Sequence, residues 1–176
     1  MCGLATKHPL FLSKTPTERF KMTIQVLFVC LGNICRSPMA EAVFQKLVDE
    51  AGLSDAIAVD SAGTGSWHVG EKAHPGTRRI LSAHGITYQG RARRVQEQDL
   101  HDPKRYVIAM DSSNMRDLRA AYGEHPRLFR LLDFAKGVGT RDVPDPYYNG
   151  NFEEVYQLVA DGCQGLLESI REQEKI

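Results

Sequence analysis

Neither sign of charge dominates this 176-residue chain, in which 22 Lys and Arg meet 22 Asp and Glu. Nucleic acid and anionic membrane, partners that call for a basic surplus, are therefore not expected. Long apolar runs are also missing. The longest, Val26–Leu31, falls far short of the roughly 18 residues of a membrane-spanning helix. Four cysteines scattered over the whole length do not form a secreted disulfide framework, which favours a reducing, cytoplasmic setting. No second Cys or His pair at ligand spacing accompanies Cys30 and Cys35, so no metal site is expected. Repeats, low-complexity tracts and a Gly-rich dinucleotide fingerprint are absent too. What remains is a soluble domain long enough to bury its own core, an enzyme or a small-ligand binder. Nothing in the sequence sets its oligomeric state.

The balanced charge conceals a split. Residues 1–21 hold Lys7, Lys14, Arg19 and Lys21 against Glu18 alone, whereas the remainder holds 18 basic and 21 acidic residues. The leader's only apolar stretch, Pro9–Leu12, is too short for a signal peptide. Residues 1–21 are read as a disordered extension, with Met22 a candidate native start and residues 22–176 the working domain.

From Thr23 onward, strand and helix patterns alternate. Thr23–Cys30 is a continuous β-branched and apolar run, as in a strand buried on both faces. The spacing then predicts a helix over Pro38–Ala51, a strand over Ala56–Ala62 and a helix over Pro75–His84 closed by Gly85. A strand over Arg105–Met110, a helix over Ser112–Tyr122 and a short strand near Leu128–Leu132 follow. A last helix carries one apolar stripe from Phe152 to Ile170 that includes Cys163. Such alternation implies a three-layer α/β/α fold with an open parallel sheet. Ligands of such sheets bind beyond the carboxyl ends of the strands, here at the end of the first.

The segment at that position is Cys30-Leu31-Gly32-Asn33-Ile34-Cys35-Arg36-Ser37-Pro38. Ser37 is a natural N-cap and Pro38 suits the first helical position. The loop thus closes on a helix N-terminus, whose free N–H groups and dipole favour an anion. Gly32 and Asn33 tolerate the positive φ angles that make amides converge. Arg36 adds a planar fork for two phosphate oxygens. Cys30, at the base, would lie in a positive field that favours its thiolate.

Cys-x5-Arg-Ser directly after an N-terminal strand resembles the active-site loop of the low-molecular-weight protein tyrosine phosphatases. The resemblance runs through Asp60–Thr64, Trp67–Gly70, Ala92–Arg94, Met110-Asp111 and Asn114 to Asp145-Pro146-Tyr147-Tyr148, the family's general-acid motif. It implies a four-stranded parallel sheet of order 2-1-3-4 and a protein-tyrosine-phosphatase acting on phosphotyrosine-containing proteins without metal or cofactor. Cys30 would be the nucleophile, Arg36 the phosphate clamp and Asp145 the general acid and base. Leu31, Gly32, Asn33, Ile34, Cys35 and Ser37 would cradle the phosphate, and Trp67, Tyr147 and Tyr148 would wall the pocket. Asn33 and Ser61 would brace the loop, and Ser37 and His84 would pair beneath the thiolate. Cys35 would trap oxidised Cys30 as a disulfide.

The chemistry independently calls for such an acid, because a tyrosyl oxygen with a pKa near 10 leaves poorly unless protonated. Competing assignments stay open at some positions. His84 beside Gly85 can simply cap a helix, His68 can be a solvated loop residue, and Asp111 reads as structural. Arg78, Arg79, Arg91, Arg93 and Arg94 read as a solvated face or as an attraction for acidic substrates. Among rival functions, arsenate reduction wants further cysteines after the second helix, which Ser82–Arg94 lacks. The related arginine phosphatases carry Thr at the position of Ile34 and lack the paired tyrosines. A catalytically idle phosphate binder needs neither Cys30 nor Asp145.

Overall fold

The computed structural model describes residues 23–176, so the reading of residues 1–21 and of Met22 lies outside the described residues. Four strands, β1 (Ile24–Cys30), β2 (Ile57–Gly63), β3 (Tyr106–Ala109) and β4 (Leu128–Arg130), form one sheet. Every pairing is parallel and the order is β2-β1-β3-β4. The chain moves from β1 outward to β2 and then back across to β3, so the crossover direction reverses beside β1. That reversal opens a crevice beyond the C-terminal end of β1.

Helices α1 (Arg36–Glu50), α2 (Pro75–Ala83), α3 (Ser112–Tyr122), α4 (Pro146–Asn149) and α5 (Phe152–Glu174) surround the sheet. β1 divides its side chains by the strand's two-residue period. Val26, Phe28 and Cys30 enter the larger core with Met39, Phe44, Val159 and Leu166 of α1 and α5. Leu27 and Val29 face a smaller cluster with Leu118 of α3. Both faces are covered, which explains why β1 reads as continuously apolar from Val26 to Cys30. Among the described residues, no helix is long and apolar enough to cross a membrane.

Three local expectations are corrected. Helix α1 starts at Arg36, not Pro38, and Cys35 occupies the N-cap without a side-chain bond. Ser37 caps nothing because its hydroxyl is turned inward to Cys30 and Asn33. Pro38 is tolerated because first-turn N–H groups have no intrahelical partner. Only Asn33 in this loop has a positive φ, at 55°. Gly32 is closely packed instead, since a Cβ there would lie 3.1 Å from the His68 ring. The fourth strand ends at Arg130, and Leu131–Asp133 tightens into a 3-10 turn.

Candidate active site

The loop after β1 is anchored from two sides. Thr64 N–H donates to Cys30 O and Gly65 N–H to Leu31 O, so the chain leaving β2 runs along it. The approach is so close that a Cβ on Gly63 would fall 2.8 Å from Leu31 O. From the other side, His74 N–H donates to Ile34 O at 2.7 Å. Between these supports Cys30 Sγ accepts the Asn33 N–H at 3.3 Å and lies 3.1 Å from Ser37 Oγ.

Most hydrogen-bond directions beneath the loop follow from donors whose sense is fixed. Asn33 Oδ1 accepts the Arg93 backbone N–H at 2.9 Å, which aims the Asn33 amide N–H groups at the two serines. They reach Ser37 Oγ at 2.8 Å and Ser61 Oγ at 2.9 Å. Ser61 then donates to Glu41 Oε2 at 2.5 Å, and Tyr88 Oη donates to the same oxygen at 2.7 Å. Ser37 accepts from Asn33 and keeps its own proton for Cys30 Sγ at 3.1 Å or Ala62 O at 3.4 Å. Burial raises the pKa of Glu41 above the usual carboxylate range, and burial together with Glu41 also raises that of Tyr88.

Arg36 lies at the first turn of α1 with its side chain almost wholly buried. Its Nη1 donates to Asp111 Oδ2 at 2.6 Å and to Val143 O at 3.0 Å, and its Nη2 donates to Asp145 Oδ2 at 3.0 Å. Burial works against the guanidinium's charge, but Cys30, Asp145 and Asp111 outweigh it and raise its pKa. Asp145 caps α4, its Oδ1 accepting Tyr147 N–H at 3.1 Å. Asp111 caps α3 through its other oxygen, which accepts Asn114 N–H. Both carboxylates are thus held by helix N-termini while they orient Arg36.

A cavity of about 290 Å³ opens over these groups, lined by Cys30, Leu31, Gly32, Ile34, Cys35, Arg36, Trp67, His68, Asp145, Tyr147 and Tyr148. Trp67 is 71% exposed, Tyr147 51% and Tyr148 82%, so aromatic surface stands at its mouth. Tyr147 and Tyr148 meet edge to face at 5.2 Å, and Tyr147 rests edge-on against His74 at 5.9 Å. Cys35 is buried beside Cys30, and burial, reinforced by the Cys30 charge, pushes its thiol up to about 12. Cys163 lies fully buried in the core, where burial raises its thiol further.

All the residues expected at the loop and the acid motif therefore meet in one place, and Ser61 joins them from β2. His84 does not. It ends α2, stacks on Tyr156 with ring centres 3.8 Å apart and lies 3.7 Å from Glu153. The partner expected beneath Ser37 is supplied instead by Asn33, and behind it by Ser61, Glu41 and Tyr88. Glu41 was missed, although it stands four residues after Ser37 on the buried side of α1, where a carboxylate is out of place. Tyr88 lies in a loop and left no readable signal. His68 lines the cavity with Nδ1 2.8 Å from Glu71.

The family model for low molecular weight phosphotyrosine protein phosphatases matches residues 25–176. The low molecular weight protein-tyrosine-phosphatase YfkJ of Bacillus subtilis is 52% identical over 156 residues, 87% of this chain and 99% of its own. Its crystal structure matches with a TM-score of 0.83, covering 86% of this chain and 96% of that one. A protein tyrosine phosphatase from Entamoeba histolytica matches at 35% identity and a TM-score of 0.82, over 86% and 99% of the two chains. A Drosophila arginine phosphatase matches at 33% identity and 0.77, over 84% and 98%. With the matched region reaching from the second residue of β1 to the end of the chain, the chain belongs to the low molecular weight phosphotyrosine protein phosphatase family.

Proposed function

We propose that residues 22–176 form a phosphatase domain that hydrolyses phosphotyrosine in proteins through a phosphocysteine intermediate. The observation that carries this reading is one cavity holding Cys30, Arg36 and Asp145 together, with Arg36 bonded to Asp145. A phosphate dianion entering the loop competes for Arg36 Nη2 and releases the Asp145 carboxyl to serve as the proton donor. The Cys30 thiolate attacks phosphorus, the bond to the tyrosyl oxygen breaks, and that oxygen takes the Asp145 proton. Water then attacks phosphorus and gives its proton to Asp145. The P–S bond breaks, and the returning thiolate receives the Ser37 hydroxyl bond and the Asn33 N–H. The loop amides at the N-terminus of α1 and Arg36 stabilise the transferring group electrostatically.

Trp67, Tyr147 and Tyr148 suit a phenyl ring, which a phosphoserine does not offer. A thiolate nucleophile works only while reduced, in keeping with a cytoplasmic location. Nucleic acid is not among the expected partners, since residues 23–176 carry more acidic than basic side chains.

Turnover of p-nitrophenyl phosphate and of a phosphotyrosyl peptide by wild type, Cys30→Ser and Asp145→Ala tests the assignment. Cys30→Ser is expected to be inactive, and Asp145→Ala to lose about 10²–10⁴-fold on the peptide. Undiminished turnover by Cys30→Ser refutes the nucleophile. The likeness to an arginine phosphatase makes a phosphoarginine peptide the proper comparison, and Ile34 with the paired tyrosines favours the phosphotyrosyl substrate.

A further inference from the structure

Charge is distributed very unevenly over this fold. Between Thr64 and Arg94 there are six Lys and Arg and a single acidic residue, Glu71. The rest of residues 22–176 holds 12 basic and 20 acidic side chains, from the totals of 18 and 21. Arg93 is spoken for by Asp60 and Asp99. Lys72, Arg78, Arg79, Arg91 and Arg94 are exposed, and none forms a salt bridge among the described residues. Glu71 does not neutralise them, because its carboxylate is turned to His68.

The placement of Lys72, Arg78 and Arg91 relates them to the cavity. The segment that contributes Trp67 and His68 to the mouth continues directly into Lys72, which is bridged across to Arg91. Arg91 Nη1 donates to Gly70 O, so it lies along the same edge. Arg78 Nε donates to Ala73 O at the start of α2. Lys72 and Arg78 line a separate cavity of about 160 Å³ with Tyr88, Gln89 and Gly90. Lys72 lies four positions beyond His68, a span of at most about 14 Å. An extended peptide covers that distance in about four residues.

We propose that this basic edge is a docking surface for an acidic segment of the substrate protein, with Asp or Glu about three to five positions from the phosphotyrosine. Lys72 and Arg78 seat one carboxylate in the smaller cavity, and Arg91 meets the chain between that seat and the mouth. Charges this exposed contribute little apiece. Grouped on an otherwise acidic molecule, they raise the encounter rate with an oppositely charged segment and orient it. The proposal rests on the phosphatase reading and names the substrate class for that site.

The test is kcat/KM on three phosphotyrosyl peptides that differ only in flanking residues, Glu, Gln or Lys at three to five positions on either side. Wild type is expected to favour the Glu peptide over the Lys peptide about tenfold at low salt. The preference should shrink as ionic strength rises and the screening length shortens. The double variant Lys72→Glu, Arg78→Glu should flatten or invert the order while turning over p-nitrophenyl phosphate, which has no flanks, like wild type. If the variant folds poorly, the wild-type salt series still decides. Equal kcat/KM across the three peptides, or a preference that survives charge reversal or high salt, overturns the docking surface and leaves the phosphatase reading intact. No turnover of any peptide or of p-nitrophenyl phosphate overturns that reading and the docking surface with it.

Discussion

Cys30 is served by a line of side chains whose far end is the half-buried carboxylate of Glu41. Glu41, as an acceptor of two hydroxyl bonds, turns the Ser61 proton away from Asn33 and so leaves Ser61 free to accept one Asn33 N–H while Ser37 accepts the other. With both serines accepting from Asn33, the Ser37 hydroxyl can meet a thiolate with its proton. Glu41→Gln keeps the shape but loses the charge that fixes this order. It should lower kcat about tenfold, the equivalent of about 1.4 kcal/mol, leave KM for p-nitrophenyl phosphate nearly unchanged, and slow alkylation of Cys30 by iodoacetate at pH 6. An unchanged kcat and alkylation rate would mean that Glu41 only fills space. Cys30, Arg36 and Asp145 were legible because each has a chemistry that its neighbours in the sequence support. His84 was misplaced for the opposite reason. Its position next to Gly85 marks the end of α2, but nothing local tells which way an imidazole at a helix end will turn, and here the Tyr156 face takes it.

At the scale of elements, the loop is held by pieces far apart in sequence. β2 supplies Ser61 and the close passage of Gly63, and α2 begins where His74 hydrogen-bonds to the loop. The acid motif reaches the cavity on α4, a single turn capped by Asp145 and ended by Gly150 in the left-handed region. This turn was not read from the sequence, since four residues that begin with a proline and end before a glycine carry no periodicity. Long elements were legible: the Phe152–Ile170 stripe matches the buried face of α5. Their ends were not, because Ser37 looks like a cap until Cys30 claims its hydroxyl. Phe152 joins α5 to the site. It fills the space beside Gly76 of α2 and stacks on His74 at 5.1 Å, and His74 in turn supports Tyr147. Phe152→Ala should cost about 3–5 kcal/mol in urea unfolding, whereas a loss under about 1 kcal/mol would show that the α2–α5 contact is slack.

Across the whole molecule, acidic and basic groups are sorted rather than balanced. Asp99 gathers Arg93 at 2.8 Å, Arg105 at 3.2 Å and the Gln96 N–H at 2.9 Å. Burial opposes its charge, but Arg93, Gln96 and Arg105 prevail and hold its carboxyl below the usual range. A carboxyl with a depressed folded pKa contributes its full stability above the unfolded value near 3.9 and loses it as pH falls through the folded one. Asp99→Asn should therefore weaken the fold at pH 7 and flatten the decline of stability below about pH 4. An unchanged acid limb in the unfolding curve would remove Asp99 from that account. The balanced total charge conveyed none of this, because a sum cannot reveal that the basic side chains collect between Thr64 and Arg94. All three scales meet in the claim that Cys30 itself carries the phosphoryl group. Acid quenching during turnover of p-nitrophenyl phosphate, followed by peptide mass spectrometry, tests it directly. One phosphoryl group on the Cys30 peptide of wild type, absent from Cys30→Ser, is the expected result. A phosphoryl group on any other residue, or turnover with none trapped and Cys30→Ser still active, would contradict it.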